Sequence, residues 1–305
     1  MIDPRKIAIE PKSFASYERA IENGGGEVSK IGPDVGALIW TDYARPQALV
    51  QLLEANPQLT WVQLPFAGVD AFVEALNAPV RFTSAKGSYR EPVAEHALAL
   101  SLALARALPE RVRATTWGRK FAFSLYDSNI LILGGGGITE ELLTLLAPFR
   151  ANIKVVRNRP EQLAGATRTV GFLELDQALQ DADLVILAAA LTKETKHLFN
   201  AAKFSLMKST AYLVNVARGP IVHTDDLIDA LNSGQIAGAA LDVTDPEPLP
   251  EGHALWSAKN ILITPHTADT NEMVERMFSV RVVENVRAYL GQGPWVGTVD
   301  PDLGY

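Results

Sequence analysis

Three features of the sequence predict an α/β protein built from two doubly wound parallel-sheet domains, one inserted into the other. Short apolar runs alternate with amphipathic segments along nearly the whole chain, as strands joined by crossover helices do. One apolar run, Asn129 to Leu133, enters four glycines, Gly134 to Gly137, and an apolar-periodic segment continues to Phe149. Two long helical segments, about 93–113 and 271–290, mark where the chain leaves the first domain and where it returns. A discontinuous domain is therefore expected at 1–95 and 286–305, and an inserted one at 96–285. A chain of 305 residues has room for both.

Residues 6–10 (Lys-Ile-Ala-Ile-Glu) read as the first strand. An amphipathic helix follows and stops at Asn23-Gly24-Gly25-Gly26; no apolar strand precedes these glycines, so they mark a helix end. Strand 37–40, helix 46–55 and strand 60–64 continue the alternation. Pro65-Phe66-Ala67-Gly68-Val69-Asp70 then falls at the carboxyl end of a strand, the edge where open α/β sheets place ligands. Glycine there either exposes N–H groups to a small carboxylate or simply makes a turn. Residues 86–92 lead into the helix at about 93–113, and 119–127 read as a linker. Beyond the glycines come strands 153–156, 184–190 and 211–216, then a helix at 225–232 stopped by Ser233-Gly234. Strand 236–243 carries Asp242, a proline-rich loop carries Glu247, and strand 260–264 ends in Pro265-His266-Thr267-Ala268.

Composition narrows the function. With 48% apolar and 21% charged residues the chain has the make-up of a soluble globular protein, and a net charge of −7 opposes nonspecific nucleic-acid binding. The absence of cysteine excludes disulfides, a thiolate nucleophile and a Cys-ligated metal, and no metal site is expected. Met1-Ile2-Asp3-Pro4-Arg5 lacks the apolar core of a signal peptide, and the apolar stretch from Ala97 to Ala105 is too short to cross a bilayer. A cytoplasmic protein without a membrane or nucleic-acid partner is the expectation.

Strand, glycine turn and helix together form the Rossmann-like arrangement that binds a dinucleotide. A phosphate reaches backbone N–H groups only where no Cβ intervenes, and the helix start adds partial positive charge. Against G-x-G-x-x-G the match is Gly134, Gly136 and then Thr139 in place of the third glycine; Gly137 and Ile138 open the helix. The next strand ends in Arg157-Asn158-Arg159, where an NAD site would carry a carboxylate for the ribose. Guanidinium forks suit a phosphate, so NADP(H) is favoured, with NAD(H) the alternative. Ala189 and Ala190, at the end of strand 184–190, leave room for a flat ring against the backbone.

Arg218, Glu247 and His266 each follow the carboxyl end of a different strand, on the edge that also holds Gly134 and Ala190. Their chemistry fits reduction of a 2-oxo acid. A carbonyl that receives hydride must be protonated, and an imidazolium is suited to that near neutral pH. A neighbouring carboxylate stabilises the imidazolium, and arginine can clamp the substrate carboxylate while polarising its carbonyl.

Val214-Asn215-Val216-Ala217-Arg218-Gly219-Pro220-Ile221-Val222 resembles a signature of the D-isomer-specific 2-hydroxyacid dehydrogenase family. So do Ala240-Leu241-Asp242-Val243 with Glu247-Pro248-Leu249-Pro250, and Thr264-Pro265-His266. The likeness extends to Ala67-Gly68-Val69-Asp70, Val93-Ala94-Glu95-His96 and Val299-Asp300-Pro301-Asp302. It implies that Arg218 binds and polarises the substrate, that His266 is the acid/base and that Glu247 tunes it. Backbone at Ala67, Gly68 and Val69 would hold the substrate carboxylate. Val216, Ala217 and Asp242 would join the cofactor site, Asp242 beside the nicotinamide carboxamide. The resemblance further implies a cleft between a substrate domain (1–95 and 286–305) and a nucleotide domain (96–285), and homodimers formed through the latter.

Four positions depart from the family pattern: Thr139 for the third glycine, Ala190 for proline, His223 for an acidic residue and Ala254 for proline. They bear on cofactor affinity and substrate identity, with Thr139 expected to widen the helix–strand spacing. The leading expectation is an NADPH-preferring reductase of glyoxylate or hydroxypyruvate. The alternatives are an NAD-dependent dehydrogenase of a larger or phosphorylated 2-hydroxy acid and a dinucleotide-sensing interaction protein without turnover.

Overall fold

The computed structural model describes residues 2–300, so Pro301 and Asp302 of the closing motif lie outside the described residues. The chain divides into two compact units, Met1–Tyr89 with Asp269–Tyr305, and Arg90–Ala268. These limits differ from the boundaries read at 95/96 and 285/286. A helix moves as one rod with the core that buries its apolar face, so each of the two boundary helices falls whole into one unit.

The first unit begins with β1 (Asp3–Glu10), α1 (Ala15–Asn23), β2 (Glu27–Val28), β3 (Val35–Trp40), α2 (Pro46–Ala55), β4 (Trp61–Gln63) and β5 (Arg81–Thr83). Its sheet is wholly parallel in the order β2-β1-β3-β4-β5. α1 ends at Gly24, and Gly25 takes φ +92°, so this glycine run is the helix stop its context predicts. β2 and β5 escaped the sequence reading because they are short edge strands with no apolar run.

The second unit opens with α3 (Arg90–Ala105) and α4 (Leu108–Arg113). The single helix expected over 93–113 is thus broken at Arg106-Ala107, where Ala107 adopts φ +53°. Pro109 is the physical reason: it lacks an N–H and is tolerated in the first turn of a helix, so it starts α4 and cannot extend α3. Then follow β6 (Asn129–Leu133), α5 (Gly137–Leu146), β7 (Asn152–Val156), β8 (Arg168–Val170), α6 (Leu175–Asp181) and β9 (Leu184–Leu187). α7 (Ala201–Leu206), β10 (Tyr212–Asn215), α8 (Thr224–Ser233), β11 (Gly238–Leu241) and β12 (Ile261–Ile263) complete it. All its strand pairs are parallel, in the order β12-β11-β10-β9-β6-β7-β8. Both faces are covered by apolar clusters, one around Leu131, Leu187, Leu213 and Phe199, the other around Ile130, Ile132, Ile186 and Leu142. Strands buried on both faces read as unbroken apolar runs, which is why β6 and β9 were so plain in the sequence.

α9 (Asn271–Tyr289) returns to the first unit and packs on α1, burying Phe278, Val282 and Val286. It also carries Asn285, wholly buried, whose Nδ2 donates to Gln63 Oε1 (2.7 Å) while Val296 N–H donates to its Oδ1 (2.9 Å). Gln63 Oε1 also accepts from the Thr83 hydroxyl (2.7 Å), which in turn accepts from the Trp61 indole (2.9 Å). A buried polar chain of this kind stabilises only when every member is satisfied, and it ties α9 and the following residues to one sheet register. Among the described residues, no helix is long and apolar enough to cross a membrane.

Candidate active site

In the second unit the strand order reverses at β6, which has β9 on one side and β7 on the other. Ligands of open α/β sheets bind at such a switch point, beyond the carboxyl ends of the strands. Gly134 lies there with φ +106°, and a Cβ on it would stand 2.4 Å from the Ala188 carbonyl oxygen, so both conformation and space demand glycine. Gly136 precedes the first turn of α5, where no side chain caps the helix, and a Cβ on it would meet only open space. The turn therefore presents uncovered backbone N–H groups at a helix start, a cradle that suits the pyrophosphate of a dinucleotide. Thr139 is fully buried, and its hydroxyl donates to the Gly134 carbonyl at 2.9 Å. The departure from glycine thus adds a bond that pins α5 to the turn it follows.

Arg157 follows β7 and leans over the glycines: a Cβ on Gly135 would lie 2.6 Å from Arg157 Cδ. Asn158 and Arg159 are exposed beside it. The strand expected over 184–190 ends at Leu187; Ala188 to Ala190 leave the ladder, with Ala189 half-buried and Ala190 exposed. The Thr195 hydroxyl fixes this stretch by donating to the Ala190 carbonyl (2.7 Å). Val216 and Ala217 are buried in the two core clusters, so they can offer a ligand only their backbone. Ala67, Gly68 and Val69 belong to the first unit, after β4, where Val69 is buried, Gly68 half-buried and Ala67 exposed. Phe66 there meets Tyr43 and Tyr89 ring to ring, and the buried Tyr89 hydroxyl donates to the Pro65 carbonyl (2.7 Å).

Arg218, Glu247 and His266 come together in the second unit. Asn215, the last residue of β10, shapes the Arg218 turn: its Oδ1 accepts from Ala217 N–H (3.0 Å) and its Nδ2 donates to the Arg218 carbonyl (3.0 Å). Gly219 lets this turn pass the next loop, since a Cβ would lie 1.9 Å from the Thr244 carbonyl oxygen. Glu247 Oε1 sits 2.6 Å from His266 Nδ1, and its Oε2 accepts from Thr244 N–H at 3.3 Å. His266 itself takes φ +52°, uncommon for a residue with a side chain and a mark of local strain held by its surroundings.

The charges follow from this geometry. The hydrogen bond that His266 donates to Glu247, with the Glu247 charge, raises the His266 pKa above the ordinary histidine value; burial and the Arg218 charge pull the other way and lose. Burial works against the Glu247 carboxylate, but the bond and charge of His266 outweigh it, with smaller help from Thr244 N–H and Arg218, and its pKa is lowered. The pairing thus favours an imidazolium beside a carboxylate, the form that can give a proton from Nε2 of a partly exposed ring.

The sequence puts Asp242 within strand 236–243, and the family resemblance puts it beside the nicotinamide carboxamide. It lies one residue past β11, 2% exposed, and its carboxylate is committed to the turn that carries His266. Oδ1 accepts from the Thr264 hydroxyl (2.6 Å) and Thr267 N–H (2.9 Å), and Oδ2 accepts from Ala268 N–H (3.1 Å). Its main-chain carbonyl accepts from His266 N–H (2.8 Å). Burial opposes the ionised form, but these bonds, with His96 and Thr264, lower the pKa below the usual aspartate value. Asn215, Thr264 and His96 were missed as working residues; all three lay inside recognised motifs, but only their partners reveal what they do. Among the described residues no cluster of His, Asp or Glu is arranged to hold a metal.

Comparison with known proteins identifies the family. The sequence model for the NAD binding domain of the D-isomer specific 2-hydroxyacid dehydrogenases matches residues 97–268. Glyoxylate/hydroxypyruvate reductase B of Escherichia fergusonii is 34% identical over 83% of this chain and 81% of its own. The glyoxylate reductase/hydroxypyruvate reductase of Homo sapiens is 33% identical over 79% of this chain and 76% of its own. A D-isomer specific 2-hydroxyacid dehydrogenase of Xanthobacter autotrophicus Py2, solved with NADPH and MES, superposes with a TM-score of 0.86 at 28% identity, covering 98% of this chain and 99% of that one.

Proposed function

The chain belongs to the D-isomer-specific 2-hydroxyacid dehydrogenase family, and we propose that it is an NADPH-preferring reductase of a small 2-oxo acid, with glyoxylate and hydroxypyruvate the first candidates. It is an NAD(P)-dependent oxidoreductase with a nicotinamide dinucleotide as cofactor. The observation that carries the reaction is the 2.6 Å contact between His266 and Glu247, in the field of Arg218.

Reduced dinucleotide, when bound, supplies hydride to the carbonyl carbon of the oxo acid. The chain's own groups do the rest. The His266 imidazolium gives its Nε2 proton to the carbonyl oxygen, which would otherwise be left as an alkoxide. Glu247 keeps the ring charged until that transfer and holds it by Nδ1. The Arg218 guanidinium pairs with the substrate carboxylate and draws charge toward the carbonyl oxygen. In the oxidative direction neutral His266 accepts the hydroxyl proton. Gly134, Gly136, Gly137 and Ile138 would hold the pyrophosphate, the Ala189–Ala190 and Val216–Ala217 backbone and Asp242 would serve the nicotinamide end, and Asp242 also holds the turn that carries His266.

The NADPH preference rests on Arg157, Asn158 and Arg159, which stand at the end of β7 with no carboxylate among them. Rates measured with NADPH and NADH in parallel, against glyoxylate, hydroxypyruvate, pyruvate and a branched 2-oxo acid, test both claims. Arg157→Ala/Arg159→Asp is expected to weaken NADPH about 10- to 100-fold, the worth of one or two charge-assisted hydrogen bonds, and to spare NADH. A wild type that prefers NADH removes the phosphate clamp. Cofactor binding without turnover on any of the four acids removes the reductase and favours a sensor.

A homodimer formed through the second unit fits the surface of that unit. α4 buries none of its residues, and Val112 (84% exposed) and Trp117 (91% exposed) stand out in solvent. Apolar side chains so fully exposed on one stretch are what a partner copy would cover. Sedimentation should give two copies for wild type and one for Trp117→Glu; a single-copy wild type ends the idea.

A further inference from the structure

His96 reaches the machinery from α3, and the reaction as described leaves it without a role. Its side chain is only 20% exposed, and Nε2 lies 3.0 Å from the Thr264 hydroxyl and 3.2 Å from Asp242 Oδ1. The direction of these bonds follows from Thr264. A carboxylate can only accept, so the one hydroxyl proton goes to Asp242 Oδ1 at 2.6 Å. Nε2 must then carry a proton and donate to the hydroxyl oxygen and to the carboxylate beside it.

The other donors to the Asp242 carboxylate, Thr264, Thr267 and Ala268, all come from the segment that carries His266. His96 is the donor that comes from a different element. It therefore does what the others cannot: it fixes the Asp242–Thr264 pair to a helix whose Ala94 and Ala97 are buried in the core of the unit. The segment so anchored holds His266 at φ +52° with Nδ1 on Glu247.

We propose that His96 is a positioning residue for the reaction: its Nε2–H ties Asp242 and Thr264 to α3 and so keeps His266 on Glu247. The inference rests on the reading of His266 as the proton donor. The charged groups facing His266 are Glu247 from the loop after β11, Arg218 from the loop after β10, and Asp242; His96 faces Asp242 from α3. If the turn loosens, His266 loses the contact that raises its pKa most, while Arg218 still repels the imidazolium.

The test compares His96→Leu with His96→Gln, whose amide N–H can stand in for Nε2. Two readouts are taken: kcat/KM against pH with the best 2-oxo acid, and the NMR titration of the His266 ring in the protein alone. His96→Leu is expected to lower kcat about 10- to 100-fold with a smaller change in KM, as misplacement of a reacting group does. The alkaline limb and the His266 titration should both move to lower pH, and His96→Gln should bring both back. A folded His96→Leu with the His266 titration where wild type has it overturns the proposal, whatever happens to Tm. Should His96→Leu not fold, His96→Asn takes its place, its shorter amide falling short of the pair: a downward shift supports the proposal and no shift overturns it. Wild type without turnover on any 2-oxo acid defeats the reductase reading instead, and the ring titration still decides the role of His96.

Discussion

His266→Ala is expected to slow 2-oxo acid reduction by about 10²- to 10⁴-fold, the usual share of a positioned general acid, and to leave dinucleotide binding unchanged. Stopped-flow or steady-state loss of nicotinamide absorbance gives the first number, and fluorescence titration with NADPH gives the second. The pH dependence carries the sharper content. Reduction needs the imidazolium, and Glu247 raises the His266 pKa. kcat/KM for reduction should therefore be full below the raised pKa and fall as pH rises through it. Glu247→Gln removes the main raising influence, so the same limb should appear at lower pH. The sign for stability runs the same way for His266: its pair with Glu247 contributes below the ordinary histidine pKa and is lost as pH rises through the raised one. Glu247 has a lowered pKa, so its contribution is present above the ordinary glutamate value and is lost as pH falls through the lowered one. Both side chains are substantially exposed, at 45% and 40%, so solvent keeps the stability effect small while the effect on rate stays large. A His266→Ala enzyme that still reduces glyoxylate at the wild-type rate would end the assignment.

Which parts of the molecule were legible in the sequence has a physical pattern. β6, β9 and the glycine turn stood out because a strand buried on both faces must be apolar throughout and a backbone approached by the Ala188 carbonyl must lack Cβ. Arg218, Glu247 and His266 could be grouped because parallel strands all deliver their carboxyl ends to one edge. What stayed hidden were relations settled by three-dimensional contact. Nothing in the order of residues says that Thr139 spends its hydroxyl on the Gly134 carbonyl, or that His96 on α3 meets Asp242 146 positions later. The break between α3 and α4 was readable in principle at Pro109, but the apolar periodicity across 93–113 masked it. Family likeness puts Asp242 beside the cofactor, and its bonds to the His266 turn are a second relation that only its buried contacts reveal. The general lesson is about polar residues: a buried polar side chain is defined by its partners, and partners are the information that one-dimensional pattern lacks.

Arg218 separates charge from geometry. Arg218→Ala should lower kcat/KM for reduction by about 10²- to 10³-fold, the loss that follows removal of a donor aimed at developing negative charge. It should also move the alkaline limb of the residual activity to higher pH. The second effect has a sign opposite to that in Glu247→Gln, because the guanidinium repels the imidazolium and lowers the His266 pKa; without it the ring holds its proton longer. Arg218→Lys keeps a positive charge and should leave the limb nearer its wild-type position. Most of the rate should still be lost, since an ammonium is a point charge that cannot grip a carboxylate in two places while facing the carbonyl oxygen. The turn itself should survive both changes, for Asn215, the Arg218 main chain and Gly219 build it, and the side chain adds one bond, from Nη1 to the Ala217 carbonyl (2.8 Å). If Arg218→Ala instead moves the limb downward, the guanidinium does not face His266 in solution, and the clamp on the substrate carboxylate would have to come from elsewhere.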